Sequence, residues 1–144
     1  MLRYLIFIFS LAFAPAALAA DVTVDMLTKA PDSNERNIYA PDLIRVDVGD
    51  TVTWLSTDKG HNVEFIRGAV PEGVDIFRSR ISQDASFTFT VPGVYAYKCT
   101  PHYGLGMVGV VIVGDDTSNL AEIADKRFPG KSKERMADIL SRIE

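Results

Sequence analysis

The stretch Cys99-Thr100-Pro101-His102-Tyr103-Gly104-Leu105-Gly106-Met107 decides the reading of this chain, together with the remote segment Gly60-His61-Asn62. The sequence contains one cysteine and two histidines, and all three fall in these two segments. One thiolate, two imidazoles and one thioether are the ligand set of a mononuclear blue-copper electron-transfer site, with the thioether as a weak axial ligand. Cys99, His102 and Met107 share one loop with the spacing Cys-x2-His-x4-Met, and His61 arrives from a distant one. Pro101, Gly104 and Gly106 let the loop bend tightly around an ion. Taken singly, each residue has a plainer explanation: a surface histidine, a small buried cysteine, a core methionine. The joint pattern favours copper, with Asn62 placed to hydrogen-bond across to Thr100 and hold the two loops in register.

Outward from this stretch the chain reads as β. Val22, Val24 and Met26 alternate with polar or small neighbours, as do Ile44, Val46 and Val48. Thr51-Val52-Thr53-Trp54-Leu55, Val63-Glu64-Phe65, Ser86-Phe87-Thr88-Phe89-Thr90 and Val94-Tyr95-Ala96-Tyr97 continue the period of two. If Cys99 points inward, so do Tyr97 and Tyr95, while Lys98 and Ala96 point out. Residues 107–113 are almost wholly apolar, the signature of a strand buried on both faces. Turn signals at Gly49-Asp50, Lys59-Gly60, Pro71-Glu72-Gly73 and Pro92-Gly93 separate these runs. Short strands at this spacing predict a β-sandwich or barrel.

After Gly114 the character changes. Asn119 predicts a helix cap, with Glu122 three residues on in a capping-box position and the helix ending at Ala124. Phe128-Pro129-Gly130 breaks the run, and residues 131–144 read as a second helix. Its Met136, Ile139, Leu140 and Ile143 form one apolar stripe at i, i+3, i+4, i+7. That stripe is expected to pack on the sandwich. The expected organisation is a leader at 1–19, a mainly β sandwich at 20–114 and a helical extension at 115–144.

The leader reading rests on Arg3, an apolar run at residues 4–14 too short to span a bilayer, and Ala17-Leu18-Ala19 as a cleavage site. Cleavage is expected after Ala19 and places the protein in the periplasm. No cysteine sits at the cleavage point for a lipid anchor, and no twin arginine is present. The formal net charge of −4, with 15 basic against 19 acidic side chains, argues against nucleic acid as a partner. A lone cysteine forms no internal disulfide, and in an oxidising compartment a bound metal gives it a reason to exist.

Together these residues resemble the cupredoxins, and within them the pseudoazurin branch. The segments Asp58-Lys59-Gly60-His61-Asn62-Val63-Glu64, Pro71-Glu72-Gly73 and Tyr97-Lys98-Cys99-Thr100-Pro101-His102-Tyr103 carry the resemblance, with Gly104-Leu105-Gly106-Met107 and the two C-terminal helices. Plastocyanin shares the ligand spacing but resembles a sandwich without those helices. The resemblance implies a mainly β, eight-stranded Greek-key β-sandwich with two C-terminal α-helices. It implies one type 1 copper per chain on His61, Cys99, His102 and Met107, and a soluble, monomeric periplasmic electron shuttle. It also implies an acceptor such as a copper nitrite reductase or another respiratory or denitrification reductase, and a cytochrome or quinol-oxidising donor.

The family's partner-facing surface is rich in lysine around the copper end. Here Lys29, Lys59, Lys98, Arg67, Arg78 and Arg80 are the candidates, with arginine at several places. Such a ring speeds encounter and weakens with salt. Pro101, Leu105, Gly106 and Val108 are read as a small apolar patch beside His102, the expected electron port. An electron carrier, not an enzyme, is the leading expectation, because four protein ligands leave no open position for substrate. Copper storage or delivery is the alternative, but Met26, Met107 and Met136 are not clustered. A multicopper enzyme needs more histidines. Zinc fits the same ligands but has no redox use.

Overall fold

The computed structural model describes residues 19–143. The expected leader at 1–19 therefore lies, except for its last residue, outside the described residues. Eight strands form two four-stranded sheets, and two helices follow. The strands are β1 (Asp21–Lys29), β2 (Arg36–Ala40), β3 (Leu43–Val46), β4 (Thr51–Leu55), β5 (Glu64–Phe65), β6 (Ala85–Thr88), β7 (Gly93–Lys98) and β8 (Val108–Val113). The helices are α1 (Leu120–Ala124) and α2 (Ser132–Ser141).

One sheet has the order β2-β1-β4-β6 and the other β3-β8-β7-β5. Each sheet mixes directions: β1 runs parallel to β4 and β3 parallel to β8, while the remaining pairs are antiparallel. β1–β2 and β7–β8 are consecutive antiparallel neighbours, and the connections from β2 through to β7 all cross between the sheets, so loops from both sheets meet at the strand ends. At one such end, residues 99–107 leave β7 and re-enter β8, and residues 56–63 link β4 to β5.

Strand alternation sends side chains into two separate cores. Between the sheets lie Val24, Met26, Trp54, Phe65, Phe89, Tyr95, Tyr97, Cys99, Met107, Val111 and Val113. On the far side of the second sheet lie Val94, Ala96, Val108, Val110 and Ile112, covered by Ile123, Met136 and Ile139 of the helices. β7 and β8 each feed both cores, so all six residues of β8 are buried. The layers are thus sheet, sheet, helices.

Several expectations are corrected. Ala96 does not face solvent; it is fully buried, because the helices cover the face that the period of two marked as outward. Val48 lies beyond β3 and is 54% exposed. Asn119 makes no side-chain cap. Its amide instead grips the Val94 backbone, accepting from the N–H at 3.0 Å and donating to the carbonyl at 2.8 Å. The second helix spans ten residues and begins at Ser132. Met136 and Ile139 carry its buried face, with Leu140 and Ile143 at the margin.

Candidate metal centre

Cys99 follows β7 directly and is fully buried. Its backbone N–H donates to the Met107 carbonyl at 3.0 Å, closing the loop at its base. Within the loop, the His102 N–H donates to the Cys99 carbonyl at 3.2 Å. Leu105 and Met107 N–H both donate to the His102 carbonyl, at 3.0 and 3.2 Å. A single 3-10 turn, Tyr103–Leu105, ends at Gly106 with φ 97°, a left-handed conformation that glycine adopts without strain. This folding stacks Cys99, His102 and Met107 at one end of the sandwich.

His61 is delivered by the other loop, which is tied on two sides. Asp58 takes the Thr28 N–H on its carboxylate at 2.7 Å and donates its own N–H to the Met26 carbonyl at 3.0 Å. On the opposite side, Ser82 accepts the Gly60 N–H at 2.9 Å and donates its N–H to the His61 carbonyl at 2.8 Å.

The three side chains converge. The Sγ of Cys99 lies 3.8 Å from Nδ1 of His61 and 3.5 Å from Nδ1 of His102, and the two Nδ1 atoms are 3.0 Å apart. Three lone-pair donors aimed at one point repel unless a cation or proton lies among them. Bonds of about 2.0–2.3 Å from N and S donors to one first-row ion place donors at about these separations. The residues fit a single soft-ligand metal ion. Met107 is fully buried beside them in the same core as Cys99.

In the metal-free protein the electrostatics favour neutral forms of both buried ligands, which suits the imidazole for metal binding and leaves the thiol a proton to lose when an ion binds. Burial pushes the Cys99 thiol up, and the backbone N–H groups of Asn62 and His102 pull the other way. Burial pushes His61 down, the facing His102 adds to this, and Asp58 opposes both. A buried neutral imidazole with a free Nδ1 lone pair is the form that binds metal. With Nδ1 turned to the cluster, the ring proton belongs on Nε2, 3.0 Å from Thr28 Oγ1.

Around the cluster, Asn62 and Thr100 are joined twice. Asn62 Nδ2 donates to Thr100 Oγ1 at 3.0 Å, and the Thr100 N–H donates to Asn62 Oδ1 at 2.8 Å. Thr100 Oγ1 in turn donates to Glu64 at 2.7 Å. Glu64 also pairs with Arg78 at 3.4 Å and Lys98 at 3.5 Å, and Lys98 sits 4.8 Å above the Tyr103 ring. Lys29, Lys59, Arg78 and Arg80 are exposed at this end. Pro101 is exposed and Leu105 is 52% exposed beside the partly exposed His102. Gly106 and Val108 are buried, so they leave the expected apolar patch. Val108 packs under the helices instead.

Sequence reading passed over Thr28, Ser79, Ser82 and Ser132 and gave Glu64 no role at the site, yet all five hold this end together. Ser79 Oγ accepts the Val63 N–H at 2.9 Å. Such residues carry no rare chemistry, and only the folded register brings them to the site.

The model of the copper binding proteins, plastocyanin/azurin family, matches residues 11–114. The chain is 41% identical to the pseudoazurin of Paracoccus pantotrophus over 133 residues, covering 92% of this chain and 90% of that one. It is 38% identical to the pseudoazurin of Methylorubrum extorquens, covering 90% and 86%. Among solved structures, a pseudoazurin from Sinorhizobium meliloti superposes with a TM-score of 0.81 at 40% identity, covering 86% of this chain and 96% of that one. The pseudoazurin of Methylobacterium extorquens AM1 superposes with a TM-score of 0.82 at 37% identity, covering 87% and 100%. This chain belongs to the pseudoazurins, copper-binding electron carriers of the plastocyanin/azurin family.

Proposed function

We propose that this chain is an exported one-electron carrier in which His61, Cys99, His102 and Met107 hold one type 1 copper. The observation that carries the reading is the convergence of Cys99 Sγ and two imidazole Nδ1 atoms within 3.0–3.8 Å. Copper, when bound, supplies the Cu(I)/Cu(II) couple. The residues do the rest. Cys99 and the histidines present soft and borderline donors suited to both oxidation states. Two tied loops on a rigid sandwich keep these donors in place, so the site rearranges little when an electron passes. Tyr39, Tyr97 and the rest of the inner core keep water away beneath it, and the Tyr39 hydroxyl donates to the Asn62 carbonyl at 2.6 Å. His102, partly exposed between Pro101 and Leu105, is the port for the electron. Four protein ligands leave no position for a substrate, so the protein is a carrier and not an enzyme.

The expected partners are a donor such as a cytochrome or quinol-oxidising complex and an acceptor such as copper nitrite reductase or another respiratory reductase. Lys29, Lys59, Arg78, Arg80 and Lys98 would steer them to the copper end, and docking would be brief. The proposed location is the periplasm. In the unprocessed chain the Ala20 N–H already donates to Asp50 at 2.7 Å, and processing after Ala19 would leave that nitrogen in place. Cleavage there converts that N–H into an ammonium beside a buried carboxylate. Among the described residues no helix is long and apolar enough to cross a membrane.

The test is the visible and EPR spectrum of the Cu(II)-loaded protein. An intense visible thiolate-to-copper band is expected, and Cys99→Ser abolishes it. A colourless protein that binds copper only as Cu(I) would point to delivery and overturn the carrier reading.

A further inference from the structure

Residues 103–106 fill the gap between His102 and Met107, so whatever fixes their backbone fixes where those two side chains stand. Part of the restraint is internal, including the Gly106 N–H donated to the Tyr103 carbonyl at 3.1 Å. The rest comes from three consecutive residues at the start of α2. The Lys131 N–H donates to the Gly104 carbonyl at 3.0 Å. The Ser132 hydroxyl, fully buried, donates to the Tyr103 carbonyl. Gly130 lies so close that a Cβ there would collide with the Gly104 carbonyl oxygen. A Cβ on Gly106 would come within 3.2 Å of Lys131 Cβ.

These contacts join the ligand loop to the second core. Met136 and Ile139 pin α2 against β8, and Ser132 stands one helical turn before Met136. Tyr103 O is the shared node, accepting from Gly106 within the loop and from Ser132 outside it. A buried hydroxyl whose bond is lost leaves an unsatisfied polar group, so the loop cannot drift from Ser132 without a penalty.

We propose that Ser132, with Gly130 and Lys131, is a positioning group for the copper centre. The start of α2 clamps the loop so that His102 and Met107 keep one arrangement in both oxidation states. The inference rests on reading those two residues as ligands. Ser132 touches no ligand side chain and passes no electron; it acts by limiting how far the loop relaxes. A looser loop would let His102 and Met107 relax towards whatever arrangement bound Cu(II) prefers over Cu(I). The potential then falls and electron self-exchange slows.

The experiment compares copper-loaded wild type, Ser132→Ala and Ser132→Thr by voltammetry, Cu(II) EPR and thermal melting. Ser132→Ala is expected to shift the Cu(II)/Cu(I) equilibrium at least threefold towards Cu(II), about 28 mV for a one-electron couple. The copper hyperfine coupling changes with it, and Ser132→Thr, which keeps the hydroxyl, restores both. A lower melting midpoint with potential and hyperfine coupling unchanged would assign Ser132 to stability alone and overturn the proposal. If Ser132→Ala fails to fold, Gly130→Ala serves instead, since its new methyl must displace Gly104. A potential and spectrum identical to wild type there also defeat the clamp. Absence of the intense visible band from wild type would bring down the ligand reading itself; a normal band with unresponsive variants brings down the clamp only.

Discussion

Glu64 shows how a single side chain connects the surface to the metal centre. It accepts the Thr100 hydroxyl and faces both Lys98 and Arg78. With its proton committed to Glu64, Thr100 Oγ1 offers a lone pair to Asn62 Nδ2. That fixes the Asn62 amide with Oδ1 on the Thr100 N–H, next to Cys99. Burial pushes the Glu64 carboxyl up, but the Thr100 hydroxyl and the two cations outweigh it and hold the carboxyl below its ordinary value of 4.5. A carboxyl depressed by folding stabilises the fold above its unfolded value, and that contribution is lost as pH falls through the folded value. Glu64→Gln in the metal-free protein should therefore melt below wild type at pH 7. The gap should narrow as pH drops below 4.5. Parallel melting curves for the two proteins across that range would show that Glu64 does not gain from its partners.

At the level of elements, β7 and β8 are the shared wall of two cores, and this is where sequence reading was strong and then failed. The ligand loop was legible because cysteine and histidine are so few that their placement carries information. β8 was legible because an unbroken apolar run demands two covered faces. Ala96 was misread because a period of two reveals alternation and cannot say what covers the outward face. β2 escaped notice since Asn37, with φ 52°, twists the strand and leaves Ile38 and Tyr39 buried side by side, without alternation. Asn119 looked like a cap because the residue type suits one, yet its amide completes the hydrogen bonds of Val94. The β7–β8 wall also explains Gly109, paired with Tyr97, whose ring occupies the space a Cβ would need. Gly109→Ala should overpack this point and destabilise by about 1–3 kcal/mol, a loss of several degrees in melting midpoint. An unchanged midpoint would mean that Tyr97 shifts freely, contrary to its packing between Tyr39 and Trp54.

Charge is distributed along the whole molecule, and β7 gives the axis. The metal centre lies just past its end at Lys98, among Lys29, Lys59, Arg78 and Arg80. At its start, beside Gly93, a cleft is lined by Glu72, Asp116 and Glu122. The six residues of β7 separate these ends by about 20 Å. The protein is acidic overall at −4, so a net-charge argument alone predicts that anionic partners are repelled. The local arrangement predicts the opposite at the copper end. Two of the cations there, Lys98 and Arg78, are partly offset by Glu64, which leaves Lys29, Lys59 and Arg80 as the better test positions. At 0.1 M salt the screening length is about 10 Å, shorter than the separation of the two ends. Oxidation of the Cu(I) protein by a small anion such as ferricyanide should therefore slow severalfold in Lys59→Glu. Glu122→Lys, an opposite charge change at the far end, should leave the rate close to wild type. Raising the salt to 1 M should erase the Lys59→Glu deficit, since screening then acts within about 3 Å. Equal and opposite effects of the two reversals would mean that the partner senses total charge, and the basic copper end would lose its steering role.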